Sequence, residues 1–487
     1  MRTDRTAAAA LTLLAAVVRI PTLAEQSFWL DEAYTVRIVR MSFGGMLRTI
    51  PKTESTPPLY YVLAWLWAHV FTDSEFGLRS LSALAGILTV PVAYAAARRL
   101  AGSRAAVIAG LLLAVSPLMV WFSQEARAYA LATLLSTISV LCVIGWLQER
   151  RRRWLTAWTV SAALGLLTHY FVIFIVVPEL ALLWMHWLAR PRRRVAIAAI
   201  PVVIVALALI PLALAQRGTG HADYIAQGSL GARLEQVPKQ LLVGYASPIQ
   251  AVTTAVAVVL VLAGALLPLA TSASGRRRVL VPLAIGAGCV LTPVLLALVG
   301  VDFLDTRNLL PALPPLCIAA AVGFTTGSRR AGQAALAFTL AAVLLVVVVL
   351  VDANPVYQRD NWRGAASALG ATALARAIVV TPGSGLYPLQ VYMGRLEPLS
   401  GTVPVREVDV LAIPQQVTGE GIGIPPRPIA PLPLPAGFRL FEARYTRTYT
   451  VLRYRSPTAV PVSAASLGPD RLGSGGFAAL IQRARRG

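Results

Sequence analysis

The chain has 487 residues, of which 56% are hydrophobic and only 14% charged, against about 25% charged in soluble domains. The apolar excess gathers in blocks of roughly 17–22 residues, the length a helix needs to cross about 30 Å of hydrocarbon, and a block such as 331–351 carries no polar face. The net charge of +22 would suggest nucleic acid in a soluble protein, but the arginines sit in short clusters between apolar blocks, which is the positive-inside pattern and excludes nucleic acid as a partner.

Taken in order, the start (1–23) has a basic end and an apolar stretch with no small-residue cleavage site before Trp29, so it reads as a retained first span. Spans are expected at 7–24, 76–98, 104–121, 125–147, 154–170, 171–189, 194–215, 249–270, 278–299, 307–325 and 331–351, eleven in all. With the N-terminus in the cytoplasm, eleven spans put every arginine cluster inside: Arg2 and Arg5; Arg98, Arg99 and Arg104; Arg150 to Arg153; Arg190 to Arg194; Arg276 to Arg278; Arg329 and Arg330. This requires that 57–71 (PPLYYVLAWLWAHVF) not cross. It is short for a span, and its Tyr and Trp content suits a juxtamembrane helix in the outer interface.

Two longer outer loops result, 25–75 and 216–248, with short outer turns near Ser123 and Asp305 and a C-terminal domain from Asp352. The expected fold is an α-helical polytopic membrane domain (1–351) plus a small extracytoplasmic α/β domain (352–455). In that domain NWRGAASALG (361–370) reads as a helix with a glycine stop, AIVVTPGS (377–384) as a buried strand and turn, and 439–455 as one or two strands. The stretch 424–436 is proline-rich and irregular, and the tail from Ser456 (456–487) reads as disordered. The inside holds only short basic turns, so function is sought outside, in a protein of the plasma (inner) membrane.

The first outer loop carries FWLDEAYT. Asp31 and Glu32 stand beside Phe28, Trp29 and Tyr34, and a carboxylate at a lipid boundary costs free energy unless it has a partner or a task; general-base work is one such task. Glu54, in TESTPPLYY, precedes two prolines that start a helix well, which would fix Glu54, Thr56 and Tyr60 at its entrance. SQEARAYA (123–130) places Arg127 at an outer end, against the positive-inside trend, with Glu125 as a ready partner. Arg307 in DFLDTRNLL and Lys239 in the second outer loop are further outer cations, the former near Asp302 and Asp305. An anion site and plain neutralisation both fit these charges. His169 and Tyr170 (LLTHYF) mark another outer end. His69, His169, His186 and His221 show no metal spacing, and Cys142, Cys289 and Cys317 each lie in apolar segments with no disulfide or zinc pattern. There is no nucleotide fingerprint.

LDEAYT, PPLYY, SQEARAYAL, THYF, RNLLPALPPL and DNWRGAA, in that order, resemble the membrane glycosyltransferases of the GT-C type, and most closely glycosyltransferase family 39, the protein O-mannosyltransferases and lipid A aminoarabinose transferases. The likeness covers roughly residues 10–370. It implies a polyprenyl-phosphate sugar donor and inverting transfer on the extracytoplasmic face to a lipid, polysaccharide or protein acceptor. Carried over, Asp31 is the general base, Glu32 the adjacent acid and Glu54 the acidic position before PPLYY. Arg127, Lys239 and Arg307 neutralise the departing phosphate, with Tyr60, Tyr61, Glu125, His169 and Tyr170 around the substrates. No resident metal is implied, although Asp31 and Glu54 would suit a divalent cation. Thr56 stands where relatives often carry His or Lys. The resemblance leaves the sugar, mannose or arabinose-type, open. Two other readings stay beside it: a transporter or lipid flippase, against which the few mid-span charges speak, and a non-catalytic scaffold for envelope assembly.

Overall fold

The computed structural model describes residues 2–185, 192–220, 223–326, 330–394, 396–414, 425–428, 432–473 and 476–483. The chain divides into two compact units: Met1–Leu23 with Ile38–Val351, and Ala24–Arg37 with Asp352–Gly487. The expected membrane domain is therefore interrupted, because residues 24–37 fold with the C-terminal segment.

The first unit is helical. Its helices begin with α1 (Arg2–Arg19); α2 (Leu30–Val39) follows, mostly in the second unit. Next come α3 (Phe43–Thr53), α4 (Leu59–Phe71), α5 (Glu75–Ala114), α6 (Pro117–Ser123), α7 (Tyr129–Glu149), α8 (Arg152–Thr168), α9 (Ile173–Met185), α10 (Arg192–Ala208) and α11 (Ile210–Arg217). The series continues with α12 (Tyr224–Gln227), α13 (Leu230–Val243), α14 (Gln250–Val261), α15 (Leu267–Thr271), α16 (Ala273–Leu298), α17 (Leu313–Thr326) and α18 (Arg330–Ala353).

Among the described residues, seven helices are long and apolar enough to cross a membrane: Glu75–Ala114, Tyr129–Glu149, Arg193–Arg217, Gln250–Thr271, Ala273–Leu298, Thr306–Thr326 and Ala331–Ala353. They house eight of the eleven expected spans, since α5 (with α6) takes two; the other three fall on α1, α8 and α9, which are shorter or more charged. The 40 residues of α5 would reach about 60 Å unbroken. Gly102, at φ +82°, breaks it, a conformation that costs glycine little, and the break falls among Arg98, Arg99 and Arg104. Leu13, Leu280, Leu295 and Leu298 are largely exposed, and exposed apolar side chains on long helices fit a lipid surrounding. The stretch 57–71 does carry a short apolar helix, α4, which follows directly on Pro58. Where α17 passes the turn at Leu262–Leu266, a Cβ on Gly323 would stand 2.7 Å from the Ala265 carbonyl oxygen, so only glycine permits that approach.

Buried Arg19 ends α1. It donates to the Ala15, Leu113 and Ala114 carbonyls at 3.2, 3.1 and 2.7 Å and to Ser123 Oγ at 3.1 Å. A cation on those last carbonyls of α5 meets the negative end of the helix dipole. Gln124 Nε2 returns the link, donating to the Arg19 carbonyl at 3.1 Å and to Thr22 Oγ1 at 2.6 Å. The SQEARAYA turn is thereby fastened to the end of the first helix.

The second unit is a sheet of β1 (Arg376–Thr381), β2 (Glu397–Pro398), β3 (Val403–Ala412), β4 (Arg439–Tyr445), β5 (Thr450–Val462) and β6 (Ala478–Gln482), in the order β2-β6-β1-β3-β5-β4. β1 and β3 are parallel, with Arg376 opposite Glu407; the other pairs are antiparallel. Ala377 and Val379 of β1 face one core and Ile378 and Val380 the other. The second core is closed by α19 (Trp362–Leu369) and α20 (Leu386–Met393) through Trp362, Ala365, Leu369 and Leu389.

Two expectations need correction here. The tail is ordered where described: β5 runs through Ser456 to Val462, and a short helix, α21 (Ala464–Leu467), leads to β6. The domain includes residues 24–37. β3 answers to no strand expected from the sequence, because its buried face carries Glu407 and Asp409. Those carboxylates are held by arginines: Arg376 to Asp409 at 2.9 Å, Arg453 to Asp409 at 3.1 Å and Arg455 to Glu407 at 2.8 Å. His186, His221, Arg190 and Arg329 lie outside the described residues, as does part of the proline-rich stretch.

Asp470 is fully buried, and neither carboxylate oxygen has a hydrogen-bond partner among the described residues. Burial pushes its pKa from 3.8 up to about 6. The folded state thus holds the proton more tightly, so stability is fullest below pH 4 and is lost as the pH rises through about 6. Asp470→Asn should leave the thermal transition unchanged at pH 3.5 and raise it at pH 8, a gain on the order of 1 kcal/mol; an equal effect at both pH values would contradict this.

Candidate active site

In the first unit the centre is a buried cluster at the entrance to α4. Arg127 Nη1 lies 2.8 Å from Glu54 Oε2, and the two come from 73 residues apart. The Tyr61 hydroxyl donates to the same oxygen of Glu54, and Thr56 Oγ1 lies 3.1 Å from that hydroxyl. The Arg127 guanidinium stands 5.9 Å from the Tyr61 ring centroid. Glu54 is 2% and Arg127 8% exposed, so the pair attracts through a medium of low dielectric. Burial drives the Tyr61 hydroxyl pKa well up, keeping it a proton donor to the carboxylate. Arg127 is thus paired with Glu54 across the fold, and its neighbour Glu125, whose backbone carbonyl accepts from the Arg127 N–H at 2.8 Å, is itself fully buried. Tyr60 reaches the same region through Ser82: the hydroxyls lie 3.4 Å apart, and Ser82 Oγ donates to the Arg127 carbonyl at 3.2 Å.

A second group forms around His169. Its ring centroid lies 5.1 Å from Tyr129 and 5.3 Å from Phe171. A small cavity is lined by Tyr129, His169, Phe171, Arg307 and Asn308. Arg307 starts a 3₁₀ turn, Thr306–Ala312, capped by Asp305. Its Nε donates to Asp305 at 3.1 Å and its guanidinium stands 5.1 Å over the Tyr224 ring. Asp302 goes elsewhere, to Arg233 at 2.7 Å, a pairing across 69 residues with no local signal. Lys239 is half-buried on α13, where burial lowers its pKa and Glu235 opposes the shift. α13 packs against both α6 and the Thr306–Ala312 turn, which in turn packs on α7. The SQEARAYA, THYF and RNLL motifs and the helix of Lys239 therefore meet in one region.

Gln216, like Arg233, has no sequence signal. Gln216 is buried and donates to the Thr56 and Ile50 carbonyls at 3.0 and 3.3 Å, while accepting from the Tyr170 hydroxyl at 2.8 Å. It ties the TESTPP loop to the THYF motif. His69 is exposed on α4, with Nδ1 2.7 Å from the Trp65 carbonyl. Among the described residues, no three His, Cys, Asp or Glu side chains group as metal ligands would.

In the second unit, Asp31 and Glu32 open α2. Glu32 is fully buried and accepts from the Trp29 backbone N–H at 3.4 Å, the reach-back half of a capping box. That is a structural task for Glu32. Asp31, one residue earlier in the first turn, is half-buried.

The multi-pass helical unit with these motifs defines a class: the chain has the fold of the GT-C membrane glycosyltransferases, being similar to the structure of ArnT from Cupriavidus metallidurans in the apo state, with a TM-score of 0.50 over 79% of this chain and 68% of that one at 16% identity. More particularly, residues 55–214 match the family described as dolichyl-phosphate-mannose-protein mannosyltransferase. A curated relative, the undecaprenyl phosphate-alpha-4-amino-4-deoxy-L-arabinose arabinosyl transferase of Pseudomonas aeruginosa (strain LESB58), is 32% identical over 170 residues, 34% of this chain and 31% of that protein. The match therefore spans about a third of that relative's length. The arabinosyltransferase EmbB from Mycobacterium smegmatis aligns with 98% of this chain at 12% identity and a TM-score of 0.43.

Proposed function

We propose that this protein is an inverting glycosyltransferase that moves a mannose or arabinose-type sugar from a polyprenyl-phosphate donor to an acceptor hydroxyl on the extracytoplasmic face of the plasma membrane. Asp31 takes the proton of the acceptor hydroxyl as its oxygen attacks the anomeric carbon. The bond from that carbon to the phosphate oxygen breaks, and polyprenyl phosphate leaves. A leaving group that is already an anion needs cations more than it needs an acid. Arg127, Lys239 and Arg307 are assigned to it, and Glu54 orients Arg127. The observation that carries the reading is the buried Glu54–Tyr61–Arg127 cluster, drawn together from distant positions at the edge of and within the stretch that matches the mannosyltransferase family.

The test is transfer from a panel of radiolabelled polyprenyl-phosphate sugars by purified protein, with native membrane lipids as acceptors. A labelled product names the sugar and, from its chemistry, the acceptor. Failure both to transfer and to bind any donor of the panel would overturn the reading. Lys239→Ala and Arg307→Ala should each weaken donor binding by about tenfold, the scale of one lost charge-assisted phosphate contact. Donor affinity unchanged in both variants would remove those residues from the site.

A further inference from the structure

We infer that the C-terminal unit is the mount that orients Asp31, and that Tyr392, Ser27 and Arg363 are positioning residues for it; this rests on Asp31 being the general base. The segment before Asp31 is pinned to the edge of the α19–α20 layer. Arg363 Nη2 donates to the Ala24 and Gln26 carbonyls at 2.8 and 3.1 Å. Gln26 Oε1 accepts from Arg359 N and Nη1 at 3.2 and 3.3 Å. Ser27 Oγ donates to the Asp360 carbonyl at 2.6 Å and accepts from Trp362 N at 3.0 Å. The Phe28 N–H donates to the Tyr392 hydroxyl at 2.6 Å. After Asp31 the attachment resumes: the Tyr34 and Tyr387 ring centroids lie 4.6 Å apart, and the Arg37 guanidinium stands 5.6 Å from the Tyr387 ring. Asp31 is thus held from both sides by one layer, three residues beyond the last pin and three before the next.

The layer itself is tied to the sheet at both ends. Asn361 caps the start of α19, accepting from Gly364 N at 2.9 Å. At its other end Arg376 and Arg453 each donate to the Leu369 carbonyl at 2.7 Å while bound to Asp409. Trp362, beside Arg363, fills the core of the sheet. An unbroken line of packed groups and hydrogen bonds therefore runs from the β1–β3 pair to the backbone around Asp31. Catalytic geometry tolerates little displacement, and about 1 Å of misplacement costs up to 10²-fold in rate. A merely structural loop would need its polar groups satisfied but would show no effect on turnover at constant fold.

Tyr392→Phe and Ser27→Ala each remove pins and keep side-chain volume nearly constant. In the full-length protein, each should lower kcat about tenfold with donor KM within twofold and an unchanged thermal transition. Ser27→Thr, which keeps the hydroxyl, should restore kcat. If Asp31→Asn is inactive while Tyr392→Phe and Ser27→Ala both turn over at the wild-type rate, the positioning role is wrong and the base assignment stands. If Asp31→Asn is itself active, both fall. A loss of kcat that merely tracks a lowered thermal transition also overturns the proposal.

Discussion

Asp31→Asn is expected to lower the rate of sugar transfer by about 10²-fold or more, the scale of a lost general base, while leaving fold and donor binding intact. The substitution is nearly isosteric. It leaves in place the reach-back hydrogen bond from the Trp29 N–H to Glu32 at the start of α2 and the hydrogen bonds that hold the preceding segment, which lie at residues 24–28. What it removes is a proton acceptor on a half-buried side chain. Single-turnover transfer with saturating labelled donor separates this from binding, since a base acts after the donor is seated. Donor affinity should stay within twofold. A single-turnover rate at the wild-type level would remove Asp31 from the chemistry. Glu32→Gln offers the contrast: its carboxylate is fully buried and accepts from the Trp29 N–H, so it is expected to act through stability of the α2 start, not through proton transfer.

The parts legible from sequence were those governed by a local pattern. Apolar blocks announced helices, the two prolines announced the start of α4, and Asn361 and Gly370 bracketed α19 as their cap preferences dictate. β1 was legible because a strand buried on both faces reads as a continuous apolar run. β3 was hidden because Glu407 and Asp409 alternate inward and mimic an exposed face. Only the arginines opposite, from two other strands, make that burial tolerable.

The site divides the same way. Each motif was visible alone, but partner choice was not. Glu125, two residues from Arg127, is the acid that spacing offers, but the reach of the guanidinium to Glu54, 73 residues away, has no sequence signal; the turn that carries Arg127 is fixed by Arg19 and Gln124. Gln216, near the end of α11, and Arg233, in α13, carry ordinary polar side chains, and nothing in their spacing foretells their partners. The inclusion of residues 24–37 in the C-terminal unit is a tertiary fact with no period to betray it.

Arg127→Ala is expected to be the most damaging single change in the first unit. It strips a cation 2.8 Å from a carboxylate that is 2% exposed, and leaving such a charge without its partner costs about 3–5 kcal/mol. It should also abolish transfer, by loosening Glu54 and Tyr61 and by removing a donor assigned to the departing phosphate. The two losses separate in a double variant. Replacing both charges, as in Glu54→Gln with Arg127→Met, removes the uncompensated charge along with the attraction, and such exchanges are often close to neutral for stability. The double variant should therefore recover most of the thermal transition lost in Arg127→Ala, because the two effects are strongly non-additive for residues in one ion pair. Turnover should not recover, since neither the carboxylate nor the guanidinium is restored. Recovery of both stability and transfer would mean that the Glu54–Arg127 pair only holds the bundle together; a stable protein without transfer places the pair in the reaction.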